Sequence, residues 1–156
     1  MKRFRKLLLI VGGLLALSCA LLYFVLIPFA NGTIIAEGQD AASQGDFVLA
    51  KVAKDWDPMT LRYFASAEML TDGQEEKRTE LMSTLNAKFG AYQSGTGKAS
   101  NIKATKDLGG DDALRADYTC RAKFEKGEAY VEMTLIRRKV GDWQVASFRI
   151  TPVNGG

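Results

Sequence analysis

The chain has 156 residues, with 21 Lys and Arg against 18 Asp and Glu, two cysteines and no histidine. The missing histidines exclude Ser-His-Asp and Cys-His catalysis, His-based zinc sites and a histidine pH switch. Lys2, Arg3, Arg5 and Lys6 form an N-terminal cluster; without it, 17 basic residues face 18 acidic ones, a balance that gives no support to nucleic-acid binding.

An uncharged apolar run follows from Leu7 to Phe29. As a helix of about 1.5 Å per residue it reaches roughly 34 Å, enough to span a hydrocarbon core of about 30 Å. The one-sided basic cluster keeps residues 1–6 in the cytoplasm and places everything after the 7–29 anchor on the other side of the membrane. Ala16-Leu17-Ser18-Cys19 offers a second reading, a lipid on Cys19. Ala20 to Phe29 stay apolar after that point, which favours an uncleaved anchor over lipidation or cleavage. Asn31-Gly32-Thr33 matches a glycosylation sequon and is read as chance.

Residues 30–45 read as a connector rich in Ala and Gly, and 46–153 as one domain. Asp46 can cap a helix carrying Phe47, Val48, Val52 and Trp56 on one face. Asp57-Pro58 starts a second helix, through about Ala65, with Leu61 and Phe64 inward. Thr71 and Asp72 open a third, with capping-box partners at Gln74 and Glu75. Its apolar stripe is Leu81, Met82, Leu85 and Phe89, and Gly90 ends it.

Ser94 to Ser100 reads as a loop, after which the period becomes two. Ile102 and Ala104 mark a first strand and Gly109 to Asp112 a turn. In 115–124 the even positions (Ala116, Tyr118, Cys120, Ala122, Phe124) are apolar and the odd ones (Arg115, Asp117, Thr119, Arg121, Lys123) polar, the pattern of a half-buried strand. A two-residue loop at Lys126-Gly127 predicts that Ala122 faces Val131, Cys120 faces Met133 and Tyr118 faces Leu135. A loop at Val140-Gly141 predicts that Val131 faces Ile150, Met133 faces Phe148 and Leu135 faces Ala146. The outer face then carries an Arg121–Glu132–Arg149 row and a patch of Ile136, Trp143 and Val145, a candidate contact surface for another protein or a second copy. The inner face offers Tyr118, Cys120, Met133 and Phe148 as candidate lining of a small apolar pocket. Cys120 reads as a core residue that pairs with no other cysteine. No metal site is expected, since Asp111-Asp112 lack further ligands at calcium-site spacing.

Three helices followed by an antiparallel meander ending in Gly141-Asp142-Trp143-Gln144-Val145 resemble the NTF2-like (cystatin-like, α+β cone) superfamily. Asp55-Trp56-Asp57-Pro58 and Phe64-Ala65-Ser66 resemble small membrane-anchored bacterial proteins of that superfamily. The resemblance implies an α+β fold, helices on a curved four-stranded antiparallel sheet, but no single activity. It also implies a bacterial inner-membrane location, with the domain in the periplasm. The inner-membrane scaffold subunits of type IV secretion systems share the layout of short tail, one span and one such domain. The expected function is a protein-interaction or assembly module without catalysis or cofactor. The alternative is apolar ligand binding inside the cone. A third reading, a Tyr–carboxylate enzyme, needs an acid within reach of the Tyr118 hydroxyl, with Asp55 or Asp57 as candidates.

Overall fold

A computed structural model describes residues 35–71, 75–139 and 141–153. The expected anchor at 7–29 and Cys19 lie outside the described residues. Glu37–Gly156 form one compact unit. Among the described residues no helix is long and apolar enough to cross a membrane.

The fold is α+β: helices pack on a curved antiparallel sheet of five strands, one more than expected. The first helix, α1, is continuous over 35–55. Ala41, Val48, Leu49, Val52 and Ala53 recur at helical spacing and are fully buried against the sheet. Asp46 therefore lies inside the helix rather than capping it. Its carboxylate accepts from the Tyr118 hydroxyl and the Gly97 N–H, tertiary donors that a capping signature cannot anticipate. The helix stops at Trp56, whose φ is +55° and whose indole N–H donates to Gly90 O at 2.7 Å.

Helix α2 is Pro58–Phe64, with Asp57 as N-cap accepting from Met59 N at 3.1 Å, as the Asp-Pro signal implies. A further short helix, α3 (Ala67–Leu70), was not expected. Helix α4 is Glu75–Phe89; Met82, Leu85 and Phe89 are buried, whereas Leu81 is exposed. Of the two proposed capping boxes, Asp72 and Gln74 lie outside the described residues, and Thr71 closes α3 instead, its hydroxyl donating to Ala67 O and Glu68 O. Gly90 ends α4 in the left-handed conformation (φ +68°), as expected.

The strands are β1 (Tyr92–Ser94), β2 (Gly97–Lys106), β3 (Asp112–Phe124), β4 (Gly127–Arg138) and β5 (Gln144–Pro152). β3 is central: β4 flanks one side, and β2 and the short β1 share the other. The last residue of β1 and the first part of β2 fall in the expected 94–100 loop, because polar, mostly exposed residues there conceal the strand. The alternation in β3 holds, with Ala116, Tyr118, Cys120, Ala122 and Phe124 all buried.

The β3–β4 register differs from the expectation by two residues. Ala122 pairs with Ala129, Cys120 with Val131 and Tyr118 with Met133. The turn is Glu125-Lys126, and Gly127 is the first residue of β4. Glu125 N donates to Ala91 O and Lys126 N to Phe89 O, so the turn is held by the end of α4. A two-residue slip keeps every side chain on its face. The β4–β5 pairs Val131–Ile150, Glu132–Arg149, Met133–Phe148 and Thr134–Ser147 are as expected. Then β5 bulges: Leu135 pairs with Val145, not Ala146.

Candidate functional site

The predicted pocket residues are packed side chains. Tyr118, Cys120 and Met133 are 0, 3 and 2% exposed, and Phe148 is half-buried. Tyr118 is held in a slot that glycine makes. A Cβ on Gly45 of α1 would stand 2.3 Å from the ring, and one on Gly97 of β2 would stand 2.2 Å from it. The hydroxyl donates to Asp46 Oδ1 at 2.6 Å, and the same oxygen accepts from Gly97 N at 2.8 Å. One tyrosine thus ties α1, β2 and β3 together.

The carboxylate beside Tyr118 is Asp46; Asp57 caps α2 and Asp55 Oδ1 accepts from Asp57 N. Burial, and secondarily the bond to Asp46, push the Tyr118 hydroxyl far above the usual tyrosine range. Burial likewise raises the Cys120 thiol and the Tyr92 hydroxyl. The ring has no solvent contact, and its hydroxyl is held on the Asp46 carboxylate, the acid within reach that a Tyr–carboxylate pair requires.

The expected outer patch is not a surface: Ile136, Trp143 and Val145 are 4, 2 and 0% exposed. The β5 bulge turns Val145 into the core. Trp143 lies beside α1, its indole N–H donating to Asp40 Oδ2 at 3.0 Å and its ring under the Arg137 guanidinium at 5.0 Å. Arg137 also pairs with Glu37 and Asp40. Ile136 lies beside Ser66, Ala67 and Glu68 at the start of α3, and Glu68 pairs with Arg115 of β3.

Two surfaces remain, of which the sequence singled out only part of the second. The first is aromatic and lies on α1 and α2. Phe47 meets Phe64 edge-on at 5.8 Å, and Phe64 meets Tyr63 edge-on at 5.0 Å. Phe47 is 48% exposed, Tyr63 81% and Met59, one turn before Tyr63, 60%. Lys51 lies over the Phe47 ring at 5.5 Å. Exposed Phe, Tyr and Met in one place match the composition of protein-interface cores. A sequence signal existed: a helix face set by Ala41, Gly45, Val48 and Val52 leaves Phe47 and Lys51 together on another side.

The second surface is polar. The cross-strand row Ser100–Asp117–Thr134–Ser147 runs over four strands, between a bulge in β2 and the bulge in β5. With Asn101, Thr119, Glu132 and Arg149, and with the pocket candidates Tyr118, Met133 and Phe148 at its wall, it lines an open concavity of about 450 Å³. Its groups already pair among themselves: Asn101 Nδ2 donates to Asp117 Oδ2 at 2.9 Å, and Ser147 Oγ to Thr134 Oγ1 at 3.0 Å. Among the described residues no group of three or more Cys, Asp or Glu could hold a metal ion. Compared with protein-family models, curated proteins and solved structures, the chain matches none.

Proposed function

We propose that this protein is a membrane-tethered interaction module that captures a partner protein and performs no chemistry of its own. On this reading residues 7–29 span the bacterial inner membrane, and an NTF2-like domain stands in the periplasm. The uncharged, 23-residue length of the 7–29 run supports the tether. The order of helices before a curved antiparallel sheet supports the fold relationship.

The observation that carries the interaction reading is the aromatic cluster of Phe47, Tyr63, Phe64 and Met59. Tyr63 at 81% exposure makes no use of its ring within the core, so its place beside Phe64 serves the outside of the molecule. Large rigid side chains of this kind contribute most of the binding energy at protein interfaces. The packed state of Tyr118, Cys120 and Met133 turns the reading away from a ligand inside the cone.

The test is capture by tagged full-length protein in cells, compared with Phe47→Ser and Tyr63→Ser. The expected result is a partner recovered at near-stoichiometric yield and lost, together with no change in fold, in both variants. Equal recovery by the variants would refute the assignment to this cluster.

A further inference from the structure

The polar concavity on the outer face of the sheet is shaped by an interruption of β2. Ser100 pairs with Asp117 and Lys103 with Arg115, so Asn101 and Ile102 together oppose the single Ala116 of β3. Ser100 lies on the outer face. In a regular strand Asn101 would then point inward, as Ala99 does opposite Tyr118. The bulge, with Asn101 at a φ of +52°, sends its amide outward instead, where it meets Asp117 at 2.9 Å. The broken ladder thus adds a polar side chain to the concavity and nothing to the core.

The volume of about 450 Å³ falls within the range of small-molecule sites, about 300–1,000 Å³. The bonds inside the concavity leave both kinds of hydrogen-bonding capacity open. Asp117 Oδ2 accepts from Asn101 Nδ2, and Thr134 Oγ1 accepts from Ser147 Oγ. Among the described residues, Asp117 Oδ1 and Asn101 Oδ1 accept from nothing, and the Thr134 and Thr119 hydroxyls donate to nothing. Glu132 and Arg149 stand 4.0 Å apart, too far for a hydrogen bond, so carboxylate and guanidinium both keep capacity free. Open acceptors and open donors therefore lie side by side. An ammonium ligand would pair the acceptors and strand the donors. An anion would do the reverse, against two carboxylates and one guanidinium. An apolar ligand would strand both. A ligand whose every group donates and accepts pairs them all, and a sugar hydroxyl is such a group.

We propose that this concavity binds a neutral saccharide, laid along the Asp117–Thr134–Ser147 row. Asp117 and Asn101, held together by their own hydrogen bond, accept from neighbouring sugar hydroxyls. Thr134 and Arg149 donate to hydroxyl oxygens further along, and Glu132 accepts beside them. The site lies on the face of the sheet opposite α1, whose Gly45 packs on the Tyr118 ring. It is therefore independent of the partner that the aromatic cluster engages.

The experiment is nuclear magnetic resonance on isotope-labelled full-length protein in a sugar-free detergent. Amide shifts are followed in titrations with cellobiose, maltose, lactose and N,N′-diacetylchitobiose, with spermidine as a cation and citrate as an anion. The expected result is saturating shifts at Thr119, Thr134 and Ser147 with at least one disaccharide and with neither ion. Asp117→Ala and Glu132→Ala are each expected to raise the Kd about tenfold or more. Both replace side chains outside the core, and unchanged indole signals of Trp56 and Trp143 verify the fold. Tyr63→Ser is expected to leave the titration unaltered. Absence of saturating shifts at these residues with every disaccharide overturns the proposal. So does a response to spermidine or citrate alone, or an unchanged affinity in Asp117→Ala or Glu132→Ala.

Discussion

Replacing Gly97 with alanine should damage this domain, although glycine-to-alanine changes in extended backbone ordinarily help. Gly97 does not lie in the left-handed region, so alanine fits its backbone. The general gain, from a less flexible unfolded chain, is about 0.5–1 kcal/mol. Here the new Cβ would stand 2.2–2.5 Å from three atoms of Tyr118, and Gly45 blocks the ring from retreating. The ring must leave its slot. Exposing a buried side chain of this size costs about 1.5–3 kcal/mol, and losing the bond to the Asp46 carboxylate costs about 1.5–3 kcal/mol. After the backbone gain the net loss is about 3 kcal/mol, a large share of a domain stability of about 5–15 kcal/mol. In a Tyr118→Ala background the slot is empty, and Gly97→Ala should be neutral or stabilising. Urea unfolding of full-length protein in mild detergent, followed by fluorescence of the buried Trp56 and Trp143, reads both backgrounds. A loss below about 1 kcal/mol in the parent, or an equal loss in both backgrounds, would refute the slot as the cause.

Other consequences follow from the same contacts. Tyr118→Phe keeps the ring but leaves Asp46 with one donor, and should cost about 2 kcal/mol by the same unfolding assay. Tyr118 holds its proton more tightly folded than unfolded, so its contribution is complete below pH 10 and falls as pH rises beyond it. Midpoints measured from pH 8 to 11 should therefore fall more steeply for the parent than for Tyr118→Phe; parallel curves would contradict this. Trp56→Phe removes the buried donor to Gly90 O and should cost about 1–3 kcal/mol, with thermal unfolding as the check. Tyr63→Ser alters an 81% exposed side chain and should move stability by less than about 0.5 kcal/mol while abolishing partner capture.

What was legible in the sequence was whatever a local pattern dictates. Asp57-Pro58 announced α2, Gly90 ended α4, and the alternation along β3 named its buried face. The hairpin shows the limit of such patterns. Period two fixes faces but not pairing, and a two-residue slip satisfies the same alternation. The true turn at Glu125-Lys126 is chosen by bonds to Phe89 and Ala91, more than thirty positions away in the chain. The outer patch failed for a related reason. A bulge at Ala146 has no mark in the sequence, yet it sends Val145 inward, and α1 and α3 then close over Trp143 and Ile136. Asp46 carried a helix-start signature that its bonds to Tyr118 and Gly97 override. Phe47 was assigned inward because it is apolar, whereas small residues at Ala41 and Gly45 set the buried face of α1.

The account rests on the aromatic cluster of α1 and α2 being the partner-binding face. The most direct measurement places a photo-crosslinking phenylalanine derivative at position 63 in cells, and the same derivative at Tyr130, an exposed aromatic on β4. The account predicts a crosslink to a different protein from position 63 and none to that protein from position 130. No such crosslink from position 63, or equal crosslinks from both positions, would contradict it.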